Sequence, residues 1–325
     1  MDNQISFTDI EYSERKKVTK REEFLKQMEA IIPWENWVKI ISPYYPKNKL
    51  GRKAIEIEKM LRMLLLQSWF NLSDEGVEEA IYDSYAMRSF MGIHFEEDEQ
   101  VPDATTLCKF RKLLNENGIQ AKLFAEVNEL LERKGKMVHG GSILDATIIE
   151  APRSRKNKEH STDPEMHSVK KGTKYYFGMR VHMAVDPIHG YTHTVVTTAA
   201  NEAEVKNAPK LLRKDDEVVY GDSGYLNMQK YVTDGIERTY KIIRQDGTFK
   251  RHYGDGLAYK EERKIEKQKS SIRSKVEYMF HIVKDIFKWR KAKYKGIYKN
   301  QCYAEILFAS ANLYMLARER KLVRA

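Results

Sequence analysis

Cysteine is nearly absent: Cys108 and Cys302 are the only two in 325 residues, and they stand far apart. Neither belongs to a zinc-ligand spacing, and so few thiols exclude a disulfide-stapled scaffold, which leaves a reducing compartment as the expectation. Long apolar runs are missing too. The run around Met63–Leu66 is far too short to span a bilayer, and Met1-Asp2-Asn3-Gln4 is polar and acidic where a signal peptide would be building its apolar core. The cytoplasm, with no membrane partner, is therefore expected. There is no glycine-rich phosphate loop of the nucleotide-binding kind, no internal repeat and no low-complexity linker. The nine histidines are scattered without metal spacing, and only His182, on an expected strand, is kept as a candidate for a site role.

What is present is charge, unevenly spread. The chain is 42% hydrophobic and 32% charged, the composition of a folded protein, and it is long enough for one large domain or two ordinary ones. The net charge is +10, and residues 241–295 alone hold 17 Lys/Arg against seven Asp/Glu, the equivalent of the whole surplus. A concentrated basic stretch attracts a polyanion by counterion release, with nucleic acid the usual candidate. A solvated lysine-rich face explains the same numbers.

Periodicity divides the chain in two. Residues 1–33 are charged and mixed, and read as a loosely ordered leader. Residues 34–135 read as helical. One helix carries Ile55, Leu61, Leu64 and Leu65; another is opened by Ser73-Asp74-Glu75. A third is capped by Pro102-Asp103, holds Leu107, Phe110, Leu113 and Leu114, and stops at Gly118; a fourth covers about Gln120–Lys134. After Gly141 the pattern changes. Ser142–Ile149, Tyr175–Val185 and Tyr191–Thr198 read as strands, the last two joined by the turn Asp186-Pro187-Ile188-His189-Gly190. Glu217–Tyr220 and Thr239–Ile243 are two more strands, with a short helix at Asn207–Leu212. A basic helix over Lys260–Lys291 and an apolar one over Tyr303–Ala317 close the chain. The sum is an α/β domain, 136–325, with a mixed sheet and helical cover, behind an all-helical region.

Three carboxylates stand out by their settings. Asp145 lies in the apolar strand Ile143-Leu144-Asp145-Ala146-Thr147-Ile148-Ile149, where burying it bare is costly. Asp222 follows a strand in Tyr220-Gly221-Asp222-Ser223-Gly224-Tyr225, and the carboxyl end of a strand is where open α/β sheets present functional groups. Plainer explanations are a strand-edge residue facing water and a turn opener. At helical spacing, Ile272, Val276, Met279, Val283 and Ile286 share one face of the basic helix. Arg273, Glu277, Lys284, Lys288 and Lys291 share the flank beside it. Glu277 is thus a lone acid in a basic stripe. Ion pairing with Arg273 explains it; so does a site in which a carboxylate holds a cation while Arg and Lys hold a DNA backbone. Three carboxylates from two strands and a helix suit two Mg²⁺ ions, with Mn²⁺ able to substitute, because magnesium takes oxygen ligands and keeps several waters. Ser223 invites comparison with a serine nucleophile, but no His and acid can be assigned to it.

These residues resemble the DDE-type bacterial insertion-sequence transposases, in the superfamily of insertion sequences four and five, and most the group of insertion sequence five. The resemblance runs from about Trp34 to the C-terminus. Asp145 in Leu-Asp-Ala-Thr, followed by Glu150-Ala151-Pro152, resembles the family's first block. The stretch from Asp163-Pro-Glu-Met through Lys171-Gly172, Tyr176-Phe177-Gly178-Met179 and His182 to Asp186 resembles its middle block. Asp222-Ser223-Gly224-Tyr225 resembles the second aspartate with its glycine and aromatic. Arg273, Glu277 and Lys284 keep the spacing of the third block, where Ser270 stands in place of the family's tyrosine. The resemblance implies a ribonuclease-H-like catalytic domain with Asp145, Asp222 and Glu277 as catalytic, metal-holding acids and Arg273 and Lys284 as phosphate ligands. It implies metal-dependent hydrolysis at the element's ends and attack of the exposed 3′-hydroxyls on target DNA by at least a dimer, in a bacterial, nucleoid-associated setting. The helical region 34–118 would recognise terminal inverted repeats, with Lys109, Arg111 and Lys112 of its third helix as candidate DNA contacts, alongside Lys288, Lys291 and the basic loop Arg153–Lys158. The alternatives are a metal-dependent nuclease of the same fold that does not join strands, and a non-catalytic DNA-binding descendant.

Overall fold

The computed structural model describes residues 15–46, 54–94, 100–153, 162–244 and 256–324, and the chain forms two compact units, divided between Ile119 and Gln120 and again between Asn312 and Leu313. The first unit is helical. It contains α1 (Lys20–Glu29), α2 (Trp34–Ile41), α3 (Ile57–Trp69), α4 (Asp74–Asp83), α5 (Tyr85–Met91) and α6 (Ala104–Glu116). α3 is its core helix, with Met60, Leu61 and every residue from Met63 to Trp69 buried. The expected start signals operate: Ser73 accepts from the Gly76 amide at 2.9 Å, and Asp103 from the Thr106 amide at 2.7 Å.

Two expectations for this unit are corrected. The leader is not loose throughout, since α1 is capped by the Thr19 hydroxyl and buries Leu25 and Met28. Three apolar residues, Phe24, Leu25 and Met28, among seven that are not leave too faint a period to read. On α6, Arg111 is not presented to DNA. Its guanidinium grips both oxygens of Asp74 at 2.7 and 2.8 Å and donates to Gln67 at 3.1 Å, with the side chain only 11% exposed. Lys109 and Lys112 are exposed on the same helix.

The second unit takes in nearly all of α7 (Ile119–Arg133) and then the sheet: β1 (Gly141–Glu150), β2 (His167–Lys171), β3 (Lys174–Val185), β4 (Thr192–Ala199), β5 (Val218–Gly221) and β6 (Thr239–Ile242). β1 lies centrally, antiparallel to β3 and parallel to β5, which is parallel to β6; β2 and β4 pair with successive stretches of β3. An antiparallel meander continued by parallel strands is the ribonuclease-H-like arrangement expected. Asp186 fixes the hairpin between β3 and β4, accepting from the amides of Ile188, His189 and Tyr191 at 3.0, 2.7 and 2.7 Å. β2 escaped the sequence reading because it is largely exposed and shows no apolar alternation.

The pleat decides which residues can meet. Leu144, Ala184, Val219 and Ile242 form one core with Ala208, Leu211, Tyr225 and Met228. Side chains alternate across a strand, so Ile143, Asp145, Thr147 and Ile149 occupy the opposite face. Against that face lies the basic segment, α9 (Leu257–Arg273) and α10 (Lys275–His281), followed by the long α11 (Ile297–Arg324).

The basic segment is not the single helix expected over Lys260–Lys291. The Ser274 hydroxyl donates to the Ser271 carbonyl at 2.8 Å, and α9 ends beside it. A π turn at Ile282–Ile286 follows α10, and Lys288 takes a left-handed conformation at φ 59°. One extra residue per turn rotates the sequence pattern, so Ile282 and Phe287 are buried while Ile286 is half-buried. The continuous stripe through Lys288 and Lys291 is therefore broken: Lys288 lies past the last turn, and the Lys291 backbone forms an isolated β-bridge with Glu150 at the end of β1.

Candidate active site

β1 and β5 bring the first two acids together by register. Ile143 is level with Tyr220 on these parallel strands, and two residues further along each are Asp145 and Asp222, on the same face. Asp222 sits where β5 ends and a short 3₁₀ turn, Ser223–Tyr225, begins, its Oδ1 accepting from the Gly224 amide at 2.9 Å. Asp145 Oδ1 accepts from the Ala146 amide at 2.7 Å.

Arg273, the last residue of α9, joins the third acid to the first. Its guanidinium donates to Asp145 Oδ2 at 2.6 Å and to Glu277 Oε1 at 3.2 Å. The Asp145 side chain is 14% exposed and that of Glu277 64%, so the bridge runs from the interior outward. Lys284, from the π turn, reaches the same strand, donating to the Thr147 hydroxyl and to the Ile148 carbonyl. Burial, with Lys171 and Arg290 nearby, holds its ammonium below the usual lysine range.

Burial pushes the Asp145 carboxyl up to about 6; Arg273 and the Ala146 amide pull it down, and the charge of Asp222 raises it again. A fourth carboxylate belongs to the same group. Glu204 opens the short α8 (Glu204–Asn207) after β4 and pairs with Arg180 of β3 at 3.1 Å. Burial raises its carboxyl, and so do Asp222 and Asp145. The sequence reading missed Glu204, which in a polar turn beside Glu202 carries no period or spacing to mark it.

His182 is not part of this group. It is buried on β3, bonded through Nε2 to Thr198 Oγ1 at 2.9 Å, and burial with the cations Arg180 and Lys210 pushes it down to about 3, so it is neutral. Beside Asp222 opens a cavity of about 600 Å³ lined by Arg244, Arg263, Lys267, Ser270 and Arg273 together with Glu266. The position that departs from the family's tyrosine thus lies on the wall of a basic cavity. Of the loop Arg153–Lys158, residues 154–158 lie outside the described residues.

The donor set fits a hard divalent cation: it is all oxygen, and the fold holds carboxylates of like charge close enough to raise one another. Among the described residues no three His, Cys, Asp or Glu side chains share a cation site as they stand; Arg273 lies between Asp145 and Glu277 instead. A cation held by Asp145 would compete with a proton there, so Mn²⁺ affinity is expected to fall about tenfold per pH unit below about 6 and to level off above it. Titrations between acid and neutral pH check this; a flat profile in the wild type, or the same slope in Asp145→Asn, would count against it.

Residues 136–313 match the family model described as Transposase DDE domain, and residues 12–113 match the one described as Transposase domain (DUF772). No solved structure matches the chain. Among the described residues no helix is long and apolar enough to cross a membrane.

Proposed function

Because the chain belongs to the DDE-type transposases, enzymes that bind, cleave and join DNA and generally use divalent metal ions, we propose that Asp145, Asp222 and Glu277 are its catalytic acids and that two Mg²⁺ ions, replaceable by Mn²⁺, are its cofactors. The bridge Asp145–Arg273–Glu277 supports this reading best: one guanidinium, 128 residues along the chain from the strand acid, ties that acid to the helix acid. When bound, such cations supply charge stabilisation at the attacking and leaving oxygens of an in-line displacement.

The chain's own residues do the rest. Asp145 and Asp222, fixed on neighbouring strands, are pre-positioned, whereas Glu277 is exposed and adjustable. Once its carboxylates turn to a cation, Arg273 is released to hold a phosphate of the scissile strand, and Lys284, tethered to Thr147, marks the other end of that strand's path. Water serves as nucleophile in the first cut, exposing a 3′-hydroxyl. That hydroxyl attacks target DNA in the second step, which requires two ends held by at least a dimer. The helical unit, through Lys109 and Lys112, is assigned to the terminal inverted repeats. Incubating labelled element ends with the protein, Mg²⁺ and a target plasmid tests the whole reading; cut ends without joined product would reduce it to a nuclease.

The cavity beside Asp222 lies on the proposed DNA path. Replacing Arg263 and Lys267 together by alanine is expected to lower the log–log salt dependence of duplex binding by about 1.8, at about 0.9 for each phosphate that is no longer neutralised. Binding measured across a KCl series checks this, and an unchanged slope would remove the cavity from the path.

A further inference from the structure

Two observations fix where the Glu204 carboxylate lies. Its Oε1 forms an ion pair with Arg180 Nη1 at 3.1 Å. Its Oε2 faces elsewhere: a Cβ at Gly224 would stand 2.6 Å from Glu204 Oε2 and 3.0 Å from Asp222 Oδ1. The two oxygens therefore flank the same small space, one that only a glycine leaves clear. A carboxylate serving only as the counter-ion of Arg180 has no reason to aim its second oxygen at another acid, since like charges so close repel.

A second observation concerns Tyr225, next in the chain. Its ring is wholly buried in the core under the sheet, yet its hydroxyl has no hydrogen-bond partner among the described residues. The charges that act on that hydroxyl most are, in order, those of Glu204, Asp145 and Asp222. A buried O–H left unmatched, and acted on by three carboxylate charges, marks a place built for something those side chains do not themselves supply.

We propose that Glu204 is a fourth carboxylate of the cation site, ligating through Oε2 beside Asp222, with Arg180 as the residue that positions it. The proposal rests on the reading of Asp145 and Asp222 as metal-holding acids, and goes beyond the triad in adding an acid from a different element, the turn after β4.

The test uses the full-length chain and metal binding rather than DNA cleavage. Mn²⁺ is titrated by electron paramagnetic resonance, and the rise in Tm that Mn²⁺ produces is followed in parallel, for the wild type, Glu204→Gln, Glu204→Asp and Asp145→Asn. The expected result is a loss of Mn²⁺ affinity in Glu204→Gln of at least the roughly 10- to 100-fold that losing even an outer-shell partner of a metal ligand costs, with the metal-induced rise in Tm largely abolished. Glu204→Asp, which keeps the charge but withdraws it by one methylene, should fall between. Wild-type Mn²⁺ affinity in Glu204→Gln overturns the proposal, and all the more so if its metal-free Tm has dropped, because Glu204 would then serve only Arg180. Should Glu204→Gln fail to fold, wild-type affinity in Glu204→Asp overturns it instead. Asp145→Asn separates the two readings: unchanged affinity there defeats the metal site itself, whereas weakened affinity there beside wild-type behaviour in Glu204→Gln defeats Glu204 alone.

Discussion

Asparagine at position 145 or at position 222 is expected to lower the rate of end cleavage by on the order of 10³-fold or more, while binding of the same DNA changes by no more than a few-fold. The size follows from the several kcal/mol that metal-assisted stabilisation contributes to such a displacement, at about 1.4 kcal/mol per decade of rate. Asparagine has nearly the shape of aspartate, so the strands should keep their pairing: β1 is held on both sides, by β3 and by β5. What changes is charge. A carboxylate that burial has already made reluctant to ionise is replaced by a neutral amide, whose carbonyl oxygen is a much weaker ligand for a divalent cation. In the proposed reading DNA binding draws on other atoms, among them the cations Arg244, Arg263, Lys267 and Lys284, and removing a negative charge beside them does not weaken their hold on phosphate. Single-turnover cleavage of labelled ends, set beside gel-shift affinities in the same buffer, measures both. Cleavage within tenfold of wild type in either variant would end the catalytic assignment.

Much of this site was legible in the sequence, and the reasons are local. Asp145 announces itself because a charge amid Ile143, Leu144, Ile148 and Ile149 contradicts its surroundings, and Asp222 because a strand ends at Gly221. Glu277 is marked by its distance from Arg273, which helical pitch turns into a contact, and that contact survives the break at Ser274. The placement of Lys288 and Lys291 failed for the opposite reason: one π turn and one left-handed residue, neither signalled by composition, undo a pattern that assumes a constant pitch. Arg111 was misread because a charge on a helix looks the same in sequence whether it faces solvent or reaches back to Asp74, 37 residues earlier. Glu204 was missed altogether. Its meaning comes from what β3 and the turn after β5 place against it, and no property of its neighbours in the chain carries that information.

The second large effect is expected at a residue with no chemistry of its own. Gly178 of β3 stands opposite Glu150 at the end of β1. A Cβ there would lie 2.2 Å from the Ile149 carbonyl oxygen, 2.8 Å from the Ala151 nitrogen and 3.0 Å from the Glu150 Cα. All three are backbone atoms, so no side-chain rotation relieves the clash, and the ladder itself must open. That ladder is tied down on both sides: Ala151 donates to the Phe177 carbonyl at 2.8 Å, and Ala292 to that of Glu150 at 2.7 Å. Overpacking of this kind costs about 3 kcal/mol or more. Gly178→Ala is therefore expected to lower the Tm by about 10 °C, at about 2–4 °C per kcal/mol for a unit of this size. Activity should suffer beyond what stability alone predicts, because the strand that must shift carries Asp145 and the Thr147 and Ile148 groups that hold Lys284. Calorimetry of the variant against the wild type decides the matter, and a Tm within about 2 °C would show that the two strands do not approach this closely. In the block Tyr176-Phe177-Gly178-Met179, then, the glycine is explained by the closeness of two backbones: it lets the strand bearing the first acid lie flush against its neighbour, and the acid's position depends on that fit.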